Sequence, residues 1–177
     1  LSVFWASPQQ ATPGATGPRL YLPSPPTPNG GLHLGHLSGP YLLADVLKRF
    51  DRQRGGAAGW MLVSDDHQSY TALRAHFDQR SPAETAVHFC SEIQKLLAAL
   101  DAAPDAVIQP GQNVDYGKAV LAALDQLQLP VHKVTGWHCT HCDIPLYDGY
   151  ARGHCPHCES PCRGFLCETC CMPNTPD

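Results

Sequence analysis

The 177-residue sequence has no apolar run approaching twenty residues, which excludes a helix that crosses a membrane. It also has no basic stripe, because twelve Lys and Arg stand against sixteen Asp and Glu and the formal net charge is −4. A nucleic-acid surface needs cations that neutralise phosphates, so this chain alone is poorly suited to bind one. No secretory signal is visible, and we expect a cytoplasmic protein with no membrane contact.

The most informative segment is 28–36, Pro-Asn-Gly-Gly-Leu-His-Leu-Gly-His. On a helix, His33 and His36 would share one face and could grip a metal. At a helix N-terminus they could instead donate hydrogen bonds to a polyphosphate, where free N–H groups favour anions. A third interpretation is two unrelated surface histidines. Gly35 between them permits a close backbone approach.

The surroundings of this segment predict an α/β fold. Residues 19–22 and 60–63 are apolar enough for two buried strands, and between them lie turn residues at 29–31 and an amphipathic helix over 41–54. The second strand runs into a polar cluster at 64–67. Ligands of open α/β sheets bind at the carboxyl ends of strands, so polar groups from both strand ends should converge there.

Further along the chain, Ser81 and Glu84 form a capping-box pattern that predicts a helix running to about Leu100. A short strand over 106–108 and a second helix to about Gln128 follow. The apolar positions at helical spacing in both helices are predicted to be core, including a buried Cys90.

These residues carry a resemblance to the class I aminoacyl-tRNA synthetases, most closely those of the methionyl type. The family signature is Pro-x-x-Asn-Gly-x-x-His-x-Gly-His, followed by Ala-Asp-Val and a strand that ends in an acidic pair and a histidine. The resemblance runs from about Arg19 to Asp177. The residues that match the first signature are Pro26, Asn29, Gly30, His33, Gly35 and His36. Those that match the later ones are Ala44, Asp45, Val46, Asp65, Asp66 and His67.

The resemblance implies amino-acid activation, in which ATP and an amino acid give an aminoacyl-adenylate and pyrophosphate. It implies that His33 and His36 stabilise charge at the α-phosphate and that Asp65 holds the substrate α-amino group. It places three further residues at the adenosine site, namely Asn29, Gly30 and Gly35. From the residues alone, Asp65 could instead be the N-cap of a helix after the strand.

Three departures from the family bear on the substrate. The residues that flank the signature proline, a leucine and a tyrosine of the family's methionine pocket, are here Pro25 and Thr27, and Gln68 replaces a glycine. The amino-acid pocket is therefore expected to be altered. The family's second signature, a lysine-rich run on a mobile loop, does not occur in these residues, and neither does an anticodon-binding domain.

The second strong feature is a set of three Cys-x-x-Cys pairs within about thirty residues of the C-terminal region. Each pair can form a knuckle that presents two thiolates to a tetrahedral zinc ion, whereas disulfides are the alternative. Four thiolates leave no open position for water, so the zinc would be structural. The pairs are Cys139 with Cys142, Cys155 with Cys158, and Cys167 with Cys170.

The family resemblance implies one zinc on Cys155, Cys158, Cys167 and Cys170. In two-zinc members, the first pair joins a fourth pair further downstream, which would leave Cys139 and Cys142 without partners in this sequence. Free thiols are one alternative, and a second ion completed by local residues is another. The local candidates are Cys162, Cys171, His138, His141, His154 and His157.

We therefore expect a loose leader at 1–18, a Rossmann-like domain at 19–136 that binds ATP and an amino acid, and a zinc-knuckle module at 137–177. Three functions remain open: the N-terminal half of a methionyl-type synthetase, a free-standing paralogue that activates an amino acid or only binds a nucleotide, and a non-catalytic zinc protein. The amino acid would be methionine or a related one. In the first case, tRNA binding and the missing half-site come from parts outside these residues or from a partner chain.

Overall fold

The computed structural model describes residues 17–130, 132, 133, 135–141, 143–164 and 166–173. Residues 1–16 of the predicted leader lie outside the described residues, and so does Cys142.

The N-terminal part alternates strands and helices. Its elements are β1 (Arg19–Tyr21), α1 (Leu34–His36), a π-helical segment (Leu37–Tyr41), α2 (Leu42–Gln53), β2 (Ala58–Val63), α3 (Ser69–Phe77), α4 (Pro82–Ala99), β3 (Ala106–Ile108), a 3-10 turn (Pro110–Gln112) and α5 (Val114–Leu127). The C-terminal part has β4 (Trp137–Cys139), β5 (Ile144–Leu146), a 3-10 turn (Asp148–Tyr150), β6 (Arg152–His154) and β7 (Pro161–Arg163).

The three N-terminal strands form one parallel sheet in the order β1-β2-β3. Parallel neighbours need a crossover, and here helices make both crossovers, so the predicted α/β class is confirmed. The C-terminal strands form two separate antiparallel hairpins, β4 with β5 and β6 with β7.

One face of the parallel sheet carries the core. Trp60 and Leu62 are fully buried, and their register partners Tyr21 and Val107 pack on the same side. The helices α2 and α4 cover this face. The cluster also contains Tyr41, Ala44, Ile93 and Leu97.

The opposite face of the sheet is only partly covered within the described residues, and this corrects one prediction. Leu20 lies in register with Gly59 on that face and is 56% exposed, and Leu22 is 63% exposed. The segment 19–22 is therefore not a buried strand. Apolar composition predicted the strand, but it did not reveal that, within the described part of the chain, β1 pairs on one edge only.

The first helix is continuous from α1 through the π-helical segment to α2, so it begins before the predicted residue 41. Pro40 lies inside the π-helical segment. Proline has no N–H to donate, and its ring would clash with the carbonyl four residues earlier, so a wider turn accommodates it. The helix ends where Gly55 takes a φ of +80°, a conformation that glycine adopts without strain.

The two later helices differ in burial. In α4, Ser81 Oγ accepts from the Glu84 N–H and Glu84 Oε2 accepts from the Ser81 N–H, so the predicted capping box is confirmed, as is the buried Cys90. In α5, every described side chain is exposed, including Leu121 at 68%. The prediction that the apolar positions of α5 are core was wrong, because the pattern shows an amphipathic helix but not what covers it.

The cations Lys48, Arg49 and Arg52 form internal ion pairs near the C-terminal end of α2. Lys48 Nζ lies 3.1 Å from Asp45 Oδ1, and Arg52 donates to Asp105 at 2.9 Å. Asp105 also accepts from the Trp60 N–H at 2.8 Å, which joins this network to β2. None of the helices in the described part of the chain combines the length and apolar character that a bilayer crossing needs.

Candidate functional site

A cleft of about 780 Å³ opens at the carboxyl end of β1. The loop between β1 and α1 forms most of its wall, through residues 24–27 and 29–33. His36, Pro40 and Tyr41 of the first helix line it as well, and Tyr70 and Glu168 close it from α3 and from the C-terminal part. The structure thus brings His33, His36, Asn29 and Gly30 together around one cavity.

The two histidines form a reciprocal cap at the start of α1. His33 is the N-cap residue, and its Nδ1 accepts from the N–H groups of Gly35 at 3.1 Å and His36 at 3.4 Å. His36 Nδ1 in turn accepts from the His33 N–H at 3.3 Å. This is the capping-box arrangement, with imidazoles in place of the usual Ser and Glu.

This cap decides which ring nitrogen is left for a ligand. A neutral imidazole has one N–H donor and one acceptor, and in both rings Nδ1 is the acceptor. The proton therefore lies on Nε2, and each ring presents an Nε2–H donor. The interpretation as hydrogen-bond donors to an anion fits this geometry better than the interpretation as unrelated surface histidines.

The rings stack on one another, with centroids 3.7 Å apart and planes 20° apart. Partial burial lowers the pKa of His36, and the neighbouring His33 lowers it further. Both effects keep His36 neutral near pH 7, so it retains the tautomer that the cap selects.

The His33 ring lies so close to Gly35 that it leaves little room for a side chain there. A Cβ at position 35 would lie 3.0 Å from His33 Cε1 and 3.1 Å from Nδ1. The group that closely approaches the backbone at Gly35 is therefore the His33 ring. By contrast, a Cβ at Gly30 would meet nothing within 4 Å.

Asp65 lies beside this cleft, and its carboxylate is engaged elsewhere. Its N–H donates to Pro26 O at 2.9 Å, and its Oδ2 accepts from Gln68 Nε2 at 2.5 Å. Although it belongs to the described part of the chain, it is not among the residues that line the cleft. The alternative role as N-cap was wrong, because Gln68 is the N-cap residue of α3.

The neighbouring Asp66 is a buried anchor. Its Oδ1 accepts from Ser64 Oγ at 2.5 Å, and its Oδ2 accepts from the Gly111 N–H at 2.8 Å. A Cβ at Gly111 would lie 3.0 Å from that carboxylate. Asp66 therefore ties the end of β2 to the turn after β3.

The residues of the cleft wall that sequence reasoning missed include Tyr41, Tyr70 and Glu168. Tyr41 is buried, donates to Ser24 O at 3.1 Å, and has its pKa raised to about 12 by burial. It fixes the loop that carries the signature to the helix. Tyr70 follows the polar cluster at 64–67 and could have been suspected from that position, whereas nothing in the sequence links Glu168 to this site.

A second site lies in the C-terminal part, where four thiols meet. The sulfur atoms of Cys155, Cys158, Cys167 and Cys170 all lie within 4.8 Å of one another. Cys155 and Cys170 are 3.6 Å apart, and Cys158 and Cys167 are 3.7 Å apart. A tetrahedral zinc with Zn–S bonds of about 2.3 Å requires sulfur separations of roughly 3.8 Å, so this set fits zinc.

Backbone N–H groups of the knuckles favour the thiolate form at two of the four cysteines, whereas desolvation and the neighbouring thiols raise the pKa of Cys170. The N–H of Cys170 donates to the Cys167 sulfur and lowers the pKa of that thiol to about 6, and the N–H of Ser160 lowers the pKa of Cys158. Glu159 and Cys171, which follow the second cysteine of each pair, both take a positive φ near 60°. Their N–H groups close the turns onto Cys155 O and Cys167 O.

The first pair has the same backbone turn at its described residues. Asp143 takes a φ of +54°, and its N–H donates to Cys139 O at 2.9 Å. Cys142 itself lies outside the described residues, so the predicted pairing with Cys139 is not tested. Among the described residues, the four-cysteine group is the only metal-like cluster, and the local candidates for a second ion do not form another.

The C-terminal part docks on α3 through a small polar contact at Asp148 and Gly149. Ser69 Oγ donates to Asp148 Oδ2 at 2.6 Å and accepts from the Gly149 N–H at 3.0 Å. Tyr70 packs against Gly149, where a Cβ would lie 3.1 Å from the ring. The C-terminal part that makes this contact also places Glu168 at the cleft.

Comparison with known proteins gives concordant matches. The sequence model of the family described as tRNA synthetases class I (M) matches residues 24–177. The methionine–tRNA ligase of Thermococcus kodakarensis is 34% identical over 157 residues, which cover 86% of this chain and 21% of that protein. The corresponding enzyme of Pyrococcus furiosus is 33% identical over 157 residues, covering 86% and 22%.

A solved structure shares the fold. The crystal structure of Mycobacterium tuberculosis methionyl-tRNA synthetase bound by methionyl-adenylate matches with a TM-score of 0.53 and 23% identity, over 58% of this chain and 20% of that one. The present chain spans about a fifth of the length of the curated relatives it matches.

Proposed function

We propose that this chain, which belongs to the tRNA synthetases of class I (M), provides the Rossmann-like half of a site that activates an amino acid with ATP. The observation that carries the proposal is the reciprocal His33–His36 cap, which leaves two stacked Nε2–H donors on the wall of the cleft. Such paired donors suit the non-bridging oxygens of a phosphate.

The proposed reaction forms one bond and breaks another at the α-phosphorus of ATP. A carboxylate oxygen of the amino acid attacks that phosphorus, the bond to the bridging oxygen of the β-phosphate breaks, and pyrophosphate leaves. Negative charge builds on the α-phosphate oxygens in the transition state. Donors already held by backbone hydrogen bonds stabilise this charge without reorganising, so the role of His33 and His36 is electrostatic.

The remaining roles follow the same cleft. Asn29, Gly30 and Gly35 belong to the adenosine side, since the first two line the cavity and the third lies under the His33 ring. Asp65 would hold the α-amino group after exchanging its hydrogen bond from Gln68. Pro25 and Thr27 also line the cleft, which supports their place in the amino-acid pocket. This pocket would differ in shape from the methionine pocket of the family and would take methionine or a related amino acid.

We assign one structural zinc to Cys155, Cys158, Cys167 and Cys170, in a module over 137–177 that follows the nucleotide-binding part at 19–136. Zinc there fixes two knuckles and takes no part in the chemistry. Transfer to tRNA, and the cations that neutralise pyrophosphate, would come from parts outside this chain or from a partner chain. We expect the protein to act in the cytoplasm.

The test is MgATP binding by titration calorimetry, followed by amino-acid-dependent exchange of pyrophosphate into ATP. The variant is His33→Asn with His36→Gln, because Asn is a good N-cap and Gln completes a capping box, so the helix start is retained while both imidazoles are lost. We expect MgATP binding to weaken about tenfold and any exchange to fall about a hundredfold, with zinc content unchanged.

His76→Ala is the matched control, because His76 is exposed on α3 and does not line the cleft. Unchanged MgATP affinity in the double variant would reject the assigned role. Binding of MgATP without exchange for any amino acid would instead fit either a half-site that needs the parts outside this chain or a nucleotide-binding paralogue.

A further inference from the structure

Glu168 occupies a position that the proposed reaction does not yet explain. It lies between Cys167 and Cys170 in the last knuckle, and its side chain is exposed at the cleft beside the signature loop. The last knuckle therefore contributes a side chain to the same wall of the cleft as His33 and His36.

The charge of Glu168 is unusual for its surroundings. Among the described residues that line the cleft it is the only carboxylate, and none of them is Lys or Arg. A carboxylate repels a bare triphosphate, so a cleft that takes ATP favours a substrate that places a positive charge near Glu168.

Glu168 lies close enough to Tyr70, which lines the same cleft, for its charge to act on that side chain, although Asp148 acts more strongly and Arg163 opposes both. Burial is the main cause that raises the pKa of Tyr70, and the negative charges of Asp148 and Glu168 add to it. Tyr70 lines the same cleft and packs against Gly149 of the C-terminal part. Glu168 is thus near a half-buried wall residue rather than only at the rim.

The position of Glu168 is set by the knuckle. The Cys171 N–H donates to Cys167 O at 2.8 Å and the Cys167 N–H donates to Met172 O at 3.0 Å, so the turn on which Glu168 lies is closed on both sides. The Ser69–Asp148 contact then fixes this part of the chain to α3. A side chain on such a turn loses less freedom when it binds a ligand than one on an open loop.

We propose that Glu168 is a substrate-contacting residue whose carboxylate pairs with the positive group that a substrate carries into the cleft. Two sources share this chemistry: the α-ammonium of the amino acid, and the Mg²⁺ on the triphosphate. The inference rests on the proposed function, because it requires an amino acid and ATP in this cleft. It adds a second carboxylate to the site beside Asp65, supplied by the metal-binding module.

The test compares Glu168→Gln with the matched control Glu159→Gln, an exposed knuckle residue that does not line the cleft. The ligands are methionyl, leucyl and cysteinyl sulfamoyl adenosines, each with and without its α-amino group, and ATP with and without Mg²⁺. Dissociation constants come from titration calorimetry on zinc-loaded protein. Zinc content is measured for every variant.

If the ammonium is the partner, Glu168→Gln weakens the amine-bearing analogue about tenfold and leaves the deaminated one unchanged. If Mg²⁺ is the partner, the loss appears for MgATP and not for free ATP. Glu168→Asp, which keeps the charge on a shorter side chain, should restore part of the lost affinity.

Equal affinities for wild type and Glu168→Gln across all these ligands would overturn the inference while leaving the proposed function intact. Equal losses in Glu168→Gln and Glu159→Gln would also overturn it, because they would indicate a disturbed knuckle. If the wild-type chain binds none of the ligands, the proposed function itself fails, and this inference fails with it.

Discussion

At the scale of single residues, the spacing of the histidine signature has a local physical cause. The His33 ring folds back over the backbone of the helix start, and the His36 ring accepts a hydrogen bond from the His33 N–H. A side chain at position 35 would crowd the His33 ring, because a Cβ there would lie 3.0 Å from His33 Cε1. The pattern His-x-Gly-His therefore describes a self-supporting cap before it describes a catalytic device.

Gly35→Ala tests this cap. The added Cβ would lie 3.0 Å from His33 Cε1, so the ring must move and its hydrogen bond from the residue 35 N–H is weakened. We expect MgATP affinity to fall about tenfold, as for the loss of a hydrogen bond to a charged group. Calorimetry of ATP binding, with circular dichroism to follow the fold, measures both effects.

Gly39→Ala serves as the control in the same helix. A Cβ there meets nothing within 4 Å, and Gly39 does not line the cleft. Alanine is favoured over glycine inside a helix by up to about 1 kcal/mol, but a Cβ just before Pro40 is disfavoured in helical conformation, so we expect only a small change in thermal stability. Wild-type ATP affinity in Gly35→Ala would show that the His33 position does not matter for binding.

At the scale of elements, sequence predicted what is decided locally. The capping box at Ser81 and Glu84 and the glycine that ends α2 were predictable because each depends on neighbours within one turn. The burial of β1 and α5 was not, because it depends on what packs against them. The same distinction applies to the cleft wall. The signature loop could be identified from the sequence, whereas Glu168, which tertiary packing brings to the cleft, could not.

The C-terminal part contains the four thiols and contacts α3 through Ser69, so removal of zinc should affect both regions. Without zinc, the knuckles lose the ion that holds four thiols within 4.8 Å, and a module this small has little core to replace it. We expect a strong chelator to speed amide hydrogen exchange in residues 148–173, and also in the Ser69–Tyr70 contact, while β2 and α4 stay protected.

Hydrogen exchange with mass spectrometry resolves these segments. Ser69→Ala provides the matched comparison, because it removes the contact with Asp148 but leaves the four thiols in place. It should speed exchange near the contact without loss of zinc. A single cooperative loss of protection across the parallel sheet on chelation would show that the nucleotide-binding part depends on the metal.

At the scale of the whole molecule, the distribution of charge limits what the chain can bind by itself. The net charge is −4, and the clustered cations of α2 are already paired. Arg49 donates to Asp45 at 2.5 Å, while Lys48 lies 3.6 Å from Asp105. Cations held in this way release few counterions from a nucleic acid, although the family acts on tRNA.

We therefore expect this chain to show no measurable complex with tRNA at about 150 mM salt, where non-specific protein–nucleic acid binding is already weak. A filter-binding titration up to micromolar protein, repeated at about 50 mM salt, measures this. The positive control is the full-length methionine–tRNA ligase of Thermococcus kodakarensis. The present chain matches 21% of that protein. Micromolar binding with a steep salt dependence would show that cations outside the paired cluster form a tRNA surface. Absence of binding, together with retained MgATP affinity, would separate the nucleotide site from tRNA recognition within the family fold.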